Sequence, residues 1–339
     1  MKKITLKDIA AKLDISTSTV SRALQNNPRI SKAIRDKVLS TAKEMNYFQN
    51  KNFDFSGLKK MNAIGVIIPK INYHLYATAI SGMEKVAEEN NLRLIICQSN
   101  ESFEREKSLI KELIDIRIAG LIISVAGETK NFDHFLDAQK NDIPLVFFNR
   151  LCEEIESDKV VIDNFRAAFD ATQHLVEIGC KDIAYIGGPE ILQISNTRLL
   201  GYKKALEKEN IDINEKRIEY SDFSQESNLS TARKLLYSPS HPDGILCYSD
   251  QLAIAVMLVA KERGLKIPED ISIIGFNNEP VDELIQPSLT SIDQPGHEMG
   301  QTSAQLLLNK IKNYSTKNTR KILKSKLIIR NSTNKNKQD

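Results

Sequence analysis

No stretch of this 339-residue chain comes near the ~20 apolar residues that span a bilayer; the longest unbroken run lies around Ala253 to Ala260, which excludes a membrane-spanning helix. The start is no secretory signal either. In MKKITLKDIAAKLD, Lys7, Asp8, Lys12 and Asp14 interrupt any apolar core, so a cytoplasmic location is expected. Cysteine is scarce: Cys97, Cys152, Cys180 and Cys247 stand far apart with no CxxC pair, which leaves neither a zinc site nor a disulfide framework and makes buried thiols the expectation. The signatures of catalysis and phosphate binding are missing as well. There is no GxGxxG, GxxxxGK[ST], HExxH or GxSxG, and Gly187-Gly188-Pro189 is too short to cradle a phosphate. No enzyme, no cofactor and no metal is expected.

What is present is a marked charge asymmetry. Residues 1–60 carry 13 Lys/Arg against 5 Asp/Glu, residues 309–339 carry 10 against 1, and the stretch between is acidic, 24 against 38. A basic end on an acidic body reads as a nucleic-acid-binding module joined to something else. The basic residues after Asn334 read as a solvated tail.

Residues 1–48 have helical periodicity and no strand signal. Thr5 can cap a helix with Leu6, Ile9, Ala10 and Leu13 at i, i+3, i+4 and i+7. Asp14-Ile15 makes a tight turn, Ser16 caps a second helix with Val20, Ala23 and Leu24 inward, and a third starts at Ser31 and buries Ile34, Val38, Ala42 and Met45. Two short helices and a tight turn, backed by a third, make a helix-turn-helix headpiece. Residues 49–62 are polar with scattered aromatics and read as a linker. From Ala63 the pattern becomes short apolar runs (AIGVII, AGLIIS, PLVFF, DIAYIG, DGILCY, DISIIGF) alternating with amphipathic helices. That alternation predicts an α/β fold with parallel sheets. Residues 63–330 are too long for one ordinary sheet, and the pattern restarts after Val160, which predicts two similar lobes with a ligand cleft at the strands' carboxyl ends and a polar tail over 331–339.

The second helix presents Ser18, Thr19, Ser21 and Arg22 opposite Val20 and Leu24, short hydroxyls and a guanidinium suited to base edges and phosphates. TLKDIAAKLDISTSTVSRALQNNPRIS followed by KVLSTAKEMNY and Asn50 resembles the headpiece of the lactose repressor and galactose repressor family. VVIDNFRAA, HLVEIGCKDIAYIGGP, RLLGYKKAL, PDGILCYSDQLAI and IPEDISIIGFNNEP extend the resemblance over the effector-binding core. It implies a homodimeric transcription regulator, a repressor by family habit, with a core like the periplasmic sugar-binding proteins and an operator affinity controlled by a small sugar-like effector. It also implies that Thr17, Ser18, Thr19, Ser21 and Arg22 read the major groove and that Thr5, Asn26, Ser31, Tyr47 and Asn50 contact phosphates or the linker. In the hinge, Phe53 stands where the family has a small residue and Ser56 where it has a leucine wedge, so minor-groove insertion is expected to be either absent or carried by Phe55 or Leu58.

In the core the resemblance implies a cleft lined by His74, Tyr76, Asn149, Arg150, Arg198, Phe223, Asp250 and Asn277. Relatives that bind neutral sugars have an aspartate at the position of Asn277, and many at that of Asn149. With amides at both and Arg150 and Arg198 retained, the lining counts as net positive, and an anionic sugar derivative anchored by Arg198 and stacked on Phe223 is expected. A neutral saccharide and a purine are the alternatives for the ligand. For the whole protein they are a secreted solute-binding protein, opposed by the basic helical start, and a sugar-processing enzyme, opposed by the missing motifs.

Overall fold

The computed structural model describes residues 5–24, 27, 29–45, 61–312 and 317–334, in two compact units divided between Lys60 and Met61. The first holds three helices, α1 (Leu6–Leu13), α2 (Thr17–Leu24) and α3 (Lys32–Glu44). Thr5 opens α1 by donating its N–H and its hydroxyl to the Asp8 carboxylate, both at 2.6 Å. Asp14 ends it in the left-handed conformation, φ 51°, which a short polar side chain tolerates. Ser16 Oγ accepts the Thr19 N–H at 3.0 Å and starts α2. Ile9, Ala10, Val20, Ala23, Val38 and Ala42 form one core. Ile34, expected inside, is 40% exposed: two eight-residue helices are too short to cover every turn of a thirteen-residue one.

The second unit runs β1 (Ala63–Ile68), α4 (His74–Glu89), β2 (Arg93–Gln98), α5 (Phe103–Asp115), β3 (Gly120–Ile123), α6 (Asp133–Lys140), β4 (Leu145–Phe148), β5 (Asp158–Ile162), α7 (Asn164–Glu177), β6 (Ile183–Gly187), α8 (Gln193–Lys208), β7 (Ile218–Tyr220), α9 (Gln225–Leu236), β8 (Gly244–Cys247), α10 (Asp250–Glu262), β9 (Ser272–Phe276), β10 (Thr290–Asp293), α11 (Gly296–Ile311), β11 (Arg320–Leu323) and β12 (Lys326–Ile328). It forms two six-stranded sheets, β11-β5-β4-β3-β1-β2 and β12-β10-β9-β8-β6-β7. The two orders correspond strand for strand, and every pair is parallel except β10 with β12. Central strands are buried throughout, as parallel strands covered by helices on both faces must be.

The lobes are not two consecutive halves. β5 pairs with β4 in the first sheet, so the first lobe continues past the restart expected after Val160. The chain crosses between sheets after Ile162, after Asp293, and between Leu323 and Lys326. α11 returns to pack on α4, where a β-carbon at Gly300 would lie 1.8 Å from the carbonyl oxygen of Ala79. The polar tail expected over residues 331–339 is corrected at its start: residues 331–334 are part of the fold, and residues 335–339 lie outside the described residues. Ser332 and Thr333 are fully buried because their hydroxyls bond the ends of β9 and β10, Ser332 Oγ to the Ile273 carbonyl and Thr333 Oγ1 with Thr290 Oγ1. All four cysteines are free thiols; Cys152, Cys180 and Cys247 are buried and Cys97, on edge strand β2, is half-buried. Among the described residues no helix is long and apolar enough to cross a membrane.

Candidate functional site

In the headpiece, α2 turns Val20 and Ala23 into the core, which leaves Thr17, Ser18 and Arg22 exposed and Thr19 and Ser21 half-buried. Arg22 makes no ion pair among the described residues, so its guanidinium is free to reach outward. Ser18 and Thr19 share hydrogen bonds with Ser16 Oγ at 2.7 and 2.8 Å. Thr5 spends its hydroxyl proton on Asp8, and Ser31 Oγ accepts the Ile34 N–H at 3.4 Å as the opening of α3. Arg35, which sequence reasoning passed over, holds the turn before α3 through the carbonyls of Asn27 and Ile30. Asn26, Tyr47, Asn50 and the hinge residues Phe53, Phe55, Ser56 and Leu58 lie outside the described residues.

The second site is a cleft between the two lobes, about 560 Å³ including its open mouth, at the carboxyl ends of β4, β8, β9 and β10. Six of the eight expected residues line it: Tyr76, Asn149, Arg150, Arg198, Phe223 and Asn277. Tyr76 is buried, its hydroxyl shared with Ser124 Oγ at 2.9 Å and accepting from Asn149 Nδ2 at 3.0 Å. Asn149, Phe223 and Asn277 all have positive φ (59°, 71° and 114°), a costly conformation for side-chain-bearing residues that is held at strand ends here. Asn277 Oδ1 accepts from Gln294 Nε2 at 2.7 Å.

The arginines are not free charges. Arg150 Nη1 lies 2.6 Å from Glu101 Oε2, and its guanidinium sits 5.4 Å from the Phe223 ring across the cleft. Arg198 donates from Nε to Asn164 Oδ1 and from Nη1 to the Tyr248 carbonyl, each at 2.9 Å. It lies over the rings of Phe276 and Tyr248, 3.4 and 4.6 Å from their centroids. Burial pulls its pKa down. Tyr73, also in the lining, is pushed up to about 12 by burial and by Glu101.

Two expected residues fall outside the lining. Asp250 is wholly buried, accepting from Ser291 Oγ and from the Glu279 N–H at 3.0 Å, so it braces the wall from behind. His74 begins α4, and its main-chain N–H, not its ring, meets the cleft's chemistry by donating to Glu279 Oε1 at 3.2 Å. Sequence reasoning missed Tyr73, Tyr248, Ser249, Glu279 and Gln294, all in the lining. Those just after β8 and β10 could have been found by reading one or two residues beyond each apolar run. Glu279 carries no such signal. With Arg150 paired to Glu101 and Glu279 in the wall, the positive lining expected from sequence is corrected to one whose charges nearly balance.

The sequence pattern described as bacterial regulatory proteins, lacI family, matches residues 5–50, and that of the periplasmic binding protein-like domain matches residues 172–333. The HTH-type transcriptional repressor CytR of Escherichia coli (strain K12) is 35% identical over 329 residues, covering 97% of this chain and 96% of that protein. A solved complex of the transcriptional regulator CelR with cellobiose superposes with a TM-score of 0.75 at 26% identity, covering 97% of this chain and 99% of the other. A lacI-family transcriptional regulator from Enterococcus faecium with bound ribose gives 0.71 at 30% identity over 80% and 98%. The extent of the likeness to a named repressor, together with the headpiece pattern, establishes that this chain belongs to the lacI family of bacterial regulatory proteins.

Proposed function

We propose that the protein is a cytoplasmic, homodimeric transcriptional repressor that holds a roughly palindromic operator through α2 and is switched by a neutral, hydroxylated sugar-sized effector in the cleft. Thr17, Ser18, Ser21 and Arg22 read base edges, while Thr19, Thr5, Ser31, Asn26, Tyr47 and Asn50 support the fit or meet phosphates. The cellobiose and ribose held by the two relatives fit the same class of ligand. The observation that carries the effector's chemistry is Gln294: its Oε1 is buried in the cleft with no hydrogen-bond partner among the described residues. A sugar hydroxyl supplies the missing donor, whereas a carboxylate or phosphate supplies only acceptors. Arg198 Nη2, which has no protein hydrogen bond among the described residues, donates to a ligand oxygen, and Phe223 covers an apolar ring face.

A thermal-shift screen of the full chain against neutral sugars, sugar acids, sugar phosphates and nucleobases tests the ligand, since binding to the folded state alone raises Tm. A neutral sugar should give the largest shift and should change affinity for an operator selected from random duplexes. The relatives named above are regulators, and the cleft's proposed role is binding without turnover, checked by recovering the sugar unchanged. No shift from any sugar, or no selected duplex, overturns the reading.

A further inference from the structure

Glu279 is the one carboxylate among the described lining residues of the cleft. It follows Asn277 and Asn278, both with positive φ, and two contacts fix it. Its N–H is held by buried Asp250 Oδ2, and its Oε1 accepts from the His74 N–H at the start of α4. It therefore reaches from the second lobe to the first across a sequence separation of 205 residues. Asp250 and Asp282 lie close enough that Glu279 helps push both of their pKa values up. Glu279 itself has no cationic partner among the described residues, in contrast to Glu101, which is matched by Arg150.

From this arrangement we propose that Glu279 is the residue that sets the charge selectivity of the effector: a carboxylate with no ion pair among the described residues, held between Asp250 and the start of α4, that turns away anionic ligands while accepting from the hydroxyls of neutral ones. The inference rests on the cleft being the sugar site. The physical reason is that a carboxylate with no counter-ion in a half-enclosed cleft repels a second anion far more than it would in water, and unlike charged groups on the outer surface it cannot swing away while its Oε1 bridges the lobes. Of the two arginines, Arg150 is paired with Glu101, and Arg198, which keeps its charge, is tied to Asn164 and the Tyr248 carbonyl beside the Phe276 and Tyr248 rings and forms no ion pair with Glu279 among the described residues.

The test is calorimetric titration of the full-length protein with matched neutral and acidic probes, glucose with glucuronate and ribose with ribose 5-phosphate, for the unmodified protein and for Glu279→Gln, Glu279→Asp and Glu283→Gln. Gln retains an oxygen for the His74 N–H and removes only the charge; Asp retains the charge. Glu283, which is ion-paired with Arg330, controls for loss of a nearby negative charge outside the lining. The unmodified protein should favour the neutral member, Glu279→Gln should narrow that preference by about tenfold with little loss for the neutral probe, and Glu279→Asp and Glu283→Gln should keep it. The gap should also shrink as salt rises. A preference that survives Glu279→Gln overturns the inference alone, whereas tighter binding of the acid by the unmodified protein overturns it together with the neutral-effector reading. Binding of neither member of either pair, by any of the proteins, overturns the sugar reading and this inference with it.

Discussion

Arg22 in the headpiece and Arg198 in the cleft are the two guanidiniums on which the sequence places recognition, and the fold treats them in opposite ways. Arg22 stands exposed on an eight-residue helix with no ion pair among the described residues. Arg198 is 2% exposed, bonded to Asn164 and to the Tyr248 carbonyl and covered by two rings. The first holds its binding capacity open to solvent and contributes little to folding. The second is part of the wall that shapes the ligand's space. A DNA reader has to meet a partner as large as itself, so its donors must be outside; a small-molecule site has to exclude water, so its donors are locked before the ligand arrives.

That contrast can be broken by substitution. Arg198→Ala should cost about 3–5 kcal/mol of stability, since it strips two hydrogen bonds and an aromatic sandwich from a buried site, and should abolish the sugar-induced rise in Tm; calorimetric melting with and without sugar reads both. Arg22→Ala should leave the folding stability within about 0.5 kcal/mol of the unmodified protein's while losing about 1–3 kcal/mol of discrimination at one base pair, measured by fluorescence anisotropy on operator variants. If Arg22→Ala unfolded the headpiece, or Arg198→Ala melted normally, the division of labour drawn here would be wrong.

The remaining two outcomes are smaller. Asp282 is fully buried, with neither carboxylate oxygen bonded to a donor among the described residues. Burial and the neighbouring Asp250 raise its pKa, against the opposing pull of Arg330. The folded state therefore keeps a proton that the unfolded chain releases near pH 4, so this group's stabilising effect is lost as pH rises towards its raised folded pKa. Between pH 6 and 8 the loss is at most about 2 kcal/mol, and Asp282→Asn, which cannot titrate, should flatten that part of the Tm–pH curve. In the headpiece, Ser16→Ala removes the acceptor for the Thr19 N–H and should cost about 1 kcal/mol, seen as a lower headpiece melting point and a uniform loss of DNA affinity across sequences.

Where the chain's signal is local, sequence reading and structure agree closely. AIGVII is β1 to the residue, the Thr5 and Ser16 helix starts are where the caps put them, and Asp14 takes the left-handed turn. Errors gather where a distant partner decides. Ser332 and Thr333 read as tail because they are polar, yet they close the ends of β9 and β10. The resemblance puts Asp250 in the ligand lining; it is buried behind it, with Ser291 and the Glu279 N–H satisfying its oxygens.

The sequence by itself determined the two-part design, the helix-turn-helix and the alternation that makes parallel sheets, because capping, turn conformation and hydrophobic period are set within a few neighbouring positions; six of the cleft's residues came through the resemblance to the family. Only the tertiary structure decided the cleft's charge. Arg150 meets Glu101 from 49 residues away, and Glu279 meets the start of α4 from 205 away. Coulomb interactions depend on separation in space: the packing of successive strand–helix units within the first lobe brings Arg150 to Glu101, and the crossing of the chain between lobes brings Glu279 to α4, in ways that no local pattern encodes.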